Sequence, residues 1–119
     1  IGAACAAALA REGARVLITD LDDARGEALA DRIRAEDGEA HYLHQDVTDE
    51  ARWAEVIAET ERRFGRLDIM VANAGIGIIT PVEAMSLADW RRQMAVNVDG
   101  VFLAVKHAIP AMRRAGGGF

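Results

Sequence analysis

Leu67-Asp68-Ile69-Met70-Val71-Ala72-Asn73-Ala74-Gly75 is the stretch that decides the fold. Its short apolar run, Ile69 to Ala72, stops at a turn of small and polar residues, Asn73-Ala74-Gly75. A continuous apolar run of this length suits a strand buried on both faces, and such strands belong to parallel sheets covered by helices. In open α/β sheets, ligands bind at the carboxyl ends of the strands. The expectation is a strand at residues 67–72 whose turn faces a ligand.

Working outward from this strand, helices and strands alternate. Ala3 to Glu12 is nearly all Ala, Leu and charged residues, a strong helix composition, with Gly13 as its stop. Arg15 to Thr19 is a β-rich run ending at Asp20, and Asp22 and Asp23 open a second helix that Gly38 closes. Gly26 inside that helix costs about 1 kcal/mol against Ala. A strand at about Ala40 to Leu43 leads into Gln45-Asp46-Val47, and Thr48 is the expected N-cap of the next helix. Trp53, Val56, Ile57, Thr60 and Phe64 recur at helical spacing, and Gly65 ends that helix.

Beyond the central strand, residues 77–81 form a loop. Ser86 caps one long helix whose face carries Trp90, Met94, Val98, Val101, Phe102, Val105, Ile109 and Met112, with a bend expected at Pro110. Strands alternating with helices of this length mean right-handed βαβ crossovers and a parallel sheet, in one domain spanning residues 1–119.

Composition narrows the class. The chain has 119 residues, 51% hydrophobic but only 5% aromatic, so its core is built from Ala, Val, Ile and Leu. A net charge of −5 disfavours nucleic acid or an anionic membrane as partner. A single cysteine, Cys5, excludes an internal disulfide and fits a reducing cytoplasm. No apolar run reaches the roughly 18 residues of a transmembrane helix. The chain starts at Ile1-Gly2 without Met and ends on Gly116-Gly117-Gly118-Phe119, so both ends read as cuts in a longer chain.

Four groups of residues could carry chemistry. Asp20 ends a strand about twenty residues after Gly2, where an acid can accept hydrogen bonds from the two hydroxyls of an adenosine ribose. Its charge would repel a 2′-phosphate, and the next residue, Leu21, supplies no compensating cation, which favours NAD over NADP. The competing role for Asp20 is an N-cap. Asp46-Val47 holds the same edge of the next strand and could serve an adenine, or could be ordinary turn chemistry. In Asn73-Ala74-Gly75, small residues admit a ligand to the backbone and the Asn amide can tie strand ends together. Asn97 lies on an apolar helix face, where its amide must find partners; a purely structural amide is the alternative. His41 and His44 fall on opposite faces of a strand, so no metal pair is expected.

Together these residues resemble the short-chain dehydrogenase/reductase family over essentially the whole chain. Ile1-Gly2 resembles the tail of its TGxxxGIG phosphate loop, Asp20 the acid of NAD-dependent members, and Asp46-Val47 the adenine-pocket pair. Asn73-Ala74-Gly75 resembles the end of the NNAG motif, with Ala72 replacing its first Asn. Asn97, within VNVDG, resembles the Asn of the family's Asn-Ser-Tyr-Lys tetrad, which in relatives anchors a water in a proton relay.

The resemblance implies a Rossmann-like, doubly wound parallel α/β sheet. Strands two to four would be present, and the first strand, which belongs between those ending at Asp20 and Asn73, would be missing. It also implies that the catalytic Ser and Tyr-x-x-x-Lys lie beyond Phe119; the single tyrosine, Tyr42, is followed four residues on by Asp46. The expected function is a fragment of a cytoplasmic, NAD-dependent oxidoreductase acting on a small alcohol or carbonyl compound, in an oligomeric, tetrameric parent. The alternatives are a non-catalytic nucleotide-binding module and, third, a flavodoxin-like receiver domain. The fragment alone is expected to be unstable.

Overall fold

The computed structural model describes residues 1–119. Helix α1 (Gly2–Arg11) leads into strand β1 (Val16–Asp20), helix α2 (Asp23–Ala35), strand β2 (Ala40–His44) and helix α3 (Glu50–Phe64). After a long irregular segment come α4 (Leu87–Met94), a π-helical turn (Ala95–Asp99) and α5 (Gly100–Arg114).

β1 and β2 pair in parallel, with Val16 opposite Ala40 and Asp20 opposite His44. Side chains alternate across a strand, and the two faces have different company. Val16, Ile18, Ala40 and Tyr42 pack with Ala10, Ala30 and Ile33 of α1 and α2. On the opposite face, Arg15 donates to the Phe64 carbonyl at 2.5 Å and stacks on the Phe64 ring, while His41 meets the same ring. α1 and α2 thus cover one face, and α3 meets the other through Phe64, on the two sides that a doubly wound α/β fold uses.

The central expectation needs one correction. Residues 67–72 form no ladder with β1 or β2, so the regular sheet has two strands and not three. A strand is defined by its neighbours, and this segment stands apart from β1, as expected from the resemblance, which puts another strand of the sheet between them. Its other edge does pair. Phe119 N–H donates to the Asp68 carbonyl at 2.8 Å, and Met70 N–H to the Phe119 carbonyl at 2.9 Å. That exchange is a single parallel β-bridge between Ile69 and Phe119. Leu67 and Met70 are anchored below it by Ile57, Ala108, Ala111 and Met112.

Helix ends follow their local chemistry. Gly13 and Gly65 stop α1 and α3 in the left-handed region, at φ 87° and 78°. At the end of α2 the left-handed residue is Asp37, at φ 62°, and Gly38 donates back to the Ile33 carbonyl at 3.0 Å. Asp22 and Ser86 cap α2 and α4. The cap of α3 is Asp49, one residue after the expected Thr48, because the Thr48 hydroxyl is taken by Asp46 at 2.7 Å.

The expected apolar face of the last helix is also corrected. α5 packs on α3 through smaller side chains, with Leu103, Ala104, Ala108, Ala111 and Met112 buried. Val98, Phe102, Val105 and Ile109 are 53%, 62%, 47% and 40% exposed instead. The helix has two apolar sides, and the alanine-rich one allows the close approach.

Candidate functional site

The site lies at the edge of the space between β1 and the 67–76 segment, over the start of α1, where the resemblance places a further strand of the sheet. Ile1, Gly2, Asp20, Leu21, Asp46, Val47, Asn73, Ala74 and Gly75 all line this space. Asn97 does not; it stands behind the wall, bonded to Ile76.

At the β1 edge, Asp20 is exposed and its carboxylate accepts the Asp22 N–H at 3.0 Å. The capping role belongs to Asp22, whose own carboxylate accepts the Arg25 N–H at 3.0 Å. Asp20 therefore precedes the helix without capping it, and one carboxylate oxygen has no protein partner. Its main-chain carbonyl is held by Gln45 N–H at 3.0 Å and by the Tyr42 hydroxyl at 2.8 Å.

Asp46 is bound differently. One carboxylate oxygen takes both the backbone N–H and the hydroxyl of Thr48, at 2.8 and 2.7 Å. The Thr48 N–H, followed by its hydroxyl, holds this carboxyl below the usual carboxylate range. This is turn chemistry, and it leaves the other oxygen open to the site. Val47 is fixed by its neighbours: its carbonyl accepts Trp53 Nε1 at 2.9 Å, and its side chain lies where a Cβ on Gly100 would be, 2.9 Å from Cγ2.

On the far wall, the Asn73 amide rests against Gly2. A Cβ on Gly2 would stand 2.6 Å from Asn73 Nδ2, so any side chain there would push the Asn73 amide aside. Gly75 lies against Asn97, with 3.4 Å between its would-be Cβ and Asn97 Oδ1.

Asn97 sits in the π-helical turn, a wide turn frequent at functional sites. Its amide clamps the backbone of Ile76 from both sides: Oδ1 accepts the Ile76 N–H and Nδ2 donates to the Ile76 carbonyl, both at 2.8 Å. Gln93 repeats the device one turn earlier, accepting the Ile78 N–H at 2.9 Å. The amide's partners are backbone groups, as its place on an apolar face demanded.

Three residues of this neighbourhood escaped the sequence. Gln93 carries a signal, four residues before Asn97 and so on the same helix face. Gly100 could have been suspected as a glycine within a helix. Tyr42 could not, because its partners come from α2 and the end of β1. His41 and His44 have separate partners, Arg63 and Asp23, each at 2.8 Å. No group of three His, Cys, Asp or Glu side chains converges. No helix is long and apolar enough to cross a membrane.

The family model described as enoyl-(acyl carrier protein) reductase matches residues 1–118. Among curated proteins, the chain is 42% identical over 123 residues to the trans-4-hydroxycyclohexanecarboxylate dehydrogenase of Sinomonas cyclohexanicum, covering 98% of this chain and 48% of that protein. Among solved structures, a short-chain dehydrogenase/reductase from Burkholderia xenovorans superposes with a TM-score of 0.93 at 36% identity, over 98% of this chain and 46% of that one. A metagenomic short-chain oxidoreductase in complex with NADP gives 0.91 at 34% identity, covering 98% of this chain and 53% of that one. The chain spans about half the length of the curated relatives it matches. With the family model matching residues 1–118 and the fold superposing on these structures over 98% of its length, the chain belongs to the short-chain dehydrogenase/reductase family.

Proposed function

We propose that this chain is the dinucleotide-holding part of an NAD-dependent oxidoreductase that interconverts an alcohol and a ketone or aldehyde. The observation that carries this is the gathering of Ile1, Gly2, Asp20, Leu21, Asp46, Val47, Asn73, Ala74 and Gly75 at one edge of the fold, at the carboxyl ends of β1, β2 and the 67–72 segment, with Gly2 against Asn73. The lining suits a dinucleotide. By the resemblance, Ile1-Gly2 stand at the tail of a phosphate loop, where the backbone N–H groups and positive end of α1 would meet a pyrophosphate. Gly2 keeps side-chain atoms out of that approach. Asp20, relieved of capping by Asp22, presents a carboxylate to the vicinal hydroxyls of the adenosine ribose. Asp46 and Val47 flank the adenine, and Asn73-Ala74-Gly75 the nicotinamide ribose.

The bound nicotinamide would accept or donate the hydride. In this reading Asn97 holds residues 75–76 in place beside it and anchors a water of the proton relay; the Tyr and Lys that move the proton at the substrate oxygen belong to the rest of the protein. The exposed stripe Val98, Phe102, Val105 and Ile109 has the alternating spacing of a helix-pairing seam, which supports a homo-oligomer, by resemblance a tetramer. The single Cys5 supports a cytoplasmic setting.

Cofactor choice turns on Asp20 and Leu21. A carboxylate facing a 2′-phosphate is repelled, and Leu21 brings no charge to offset it. Calorimetric titration of NAD and NADP into the full-length protein is expected to show NAD tighter by about tenfold or more, the scale of one unfavourable charge pair. Tighter binding of NADP would overturn the NAD reading.

A further inference from the structure

Asp20 is held at both ends. Its carboxylate takes the Asp22 N–H, and its carbonyl lies 2.8 Å from the hydroxyl of Tyr42. That hydroxyl is also 2.7 Å from Asp23 Oδ1. Two acceptors meet one phenol proton, so the proton is shared between them. Asp23 is fixed in turn by His44 Nδ1 at 2.8 Å. These side chains come from three elements: Tyr42 and His44 from β2, Asp23 from the start of α2, and Asp20 from the end of β1.

The ring of Tyr42 reaches this position only because α2 carries a glycine opposite it. A Cβ on Gly26 would overlap the ring carbons of Tyr42. Gly26 lies inside the helix, at a known penalty in helix propensity, and is buried. The penalty makes room for a tyrosine that ends at the backbone of Asp20.

We propose that Tyr42 is a positioning residue for Asp20. Its hydroxyl, braced by Asp23, fixes the turn from which the Asp20 carboxylate reaches the adenosine ribose, and so contributes to the preference for a dinucleotide without a 2′-phosphate. This rests on the proposed role of Asp20.

Tyr42→Phe keeps the ring against Gly26 and removes only the hydroxyl. In the full-length protein, calorimetry should show NAD binding weakened about fivefold, the effect of one lost hydrogen bond, with NADP affinity unchanged, so that the NAD-to-NADP ratio falls. Equal weakening of both dinucleotides, or no change in either, would overturn the inference. A double-mutant cycle with Asp20→Ala separates positioning from loss of structure. If Tyr42 acts through Asp20, adding Tyr42→Phe to Asp20→Ala changes NAD affinity no further. If the phenylalanine merely loosens the fold, it weakens NAD in both backgrounds, and the inference fails. Should Asp20→Ala leave the ratio untouched, it is the ribose role of Asp20 that falls, and the claim for Tyr42 falls with it.

Discussion

The two walls of the site are built in different ways. The wall made by β1, α2 and β2 is held by backbone ladders, helix caps and a continuous apolar layer. The wall made by residues 67–78 has one parallel bridge, to Phe119, and an apolar anchor at Leu67 and Met70, and beyond residue 72 it relies on side-chain amides. Asn97 holds Ile76 and Gln93 holds Ile78. A ladder spreads its support over many equivalent bonds, whereas an amide clamp concentrates it in one side chain. The first wall should therefore fail through packing, and the second through single polar substitutions.

The largest effect tests the packed wall. Gly26→Leu puts a branched side chain where the Tyr42 ring lies and is expected to destabilise the full-length protein by about 3 kcal/mol, the upper end for overpacking. Urea unfolding measures this, and hydrogen exchange should rise across β1 and β2 while the Ile76 amide stays protected.

Next comes the clamped wall. Asn97→Ala leaves the Ile76 N–H and carbonyl without their partner. A loss of about 1–2 kcal/mol is expected for such groups, with exchange of the Ile76 amide accelerated and the β1–β2 ladder unchanged. If both substitutions loosened both walls alike, the distinction between them would be wrong.

The smallest effect lies at the joint. Arg63 of α3 meets both Glu59 and His41 of β2. Hydrogen bonds from Arg62, then Arg63, lower the Glu59 carboxyl to about 2 from its ordinary 4.5. A depressed carboxylate contributes stability that is complete above its unfolded value and is lost as pH falls through the folded one. Acid unfolding should show this contribution fading from pH 4.5 toward pH 2, and Glu59→Gln should flatten the curve in that window. Glu59 makes its pairs in solvent, so the change should be modest.

The same contrast marks what was legible beforehand. Caps and stops are local, so Ser86, Gly13 and Gly65 could be read from neighbouring residues, whereas the cap of α2 falls on Asp22 and not on the competing Asp20. The parallel pairing followed from alternation of strands and helices. Features that depend on distant partners could not be read. Gly26 looked like a weakness in α2 until Tyr42 was seen against it. The π-helical turn at Ala95–Asp99 is invisible to a search for helical period, because one wide turn barely disturbs it. The apolar stripe on α5 was visible, but whether a stripe faces a core or solvent depends on the competing face, and here the alanines won the core. In the site, residue types pointed to Asp20, Asp46, Asn73 and Asn97. Only coordinates could show that Asp22 releases Asp20 from capping and that Asn97 spends its amide on Ile76.

The bridge between Ile69 and Phe119 also bears on the order in which the chain folds. β1, α2 and β2 are consecutive, and their contacts close short loops that form early. Ile69 can meet Phe119 only after the whole excursion through α4 and α5 has turned back, a loop whose closure entropy comes due before its contacts are made. The alanine face of α5 supplies those contacts when it docks on α3. The ladder-bound wall is then the early scaffold, and the wall carrying Asn73-Ala74-Gly75 takes shape last, once α5 is in place.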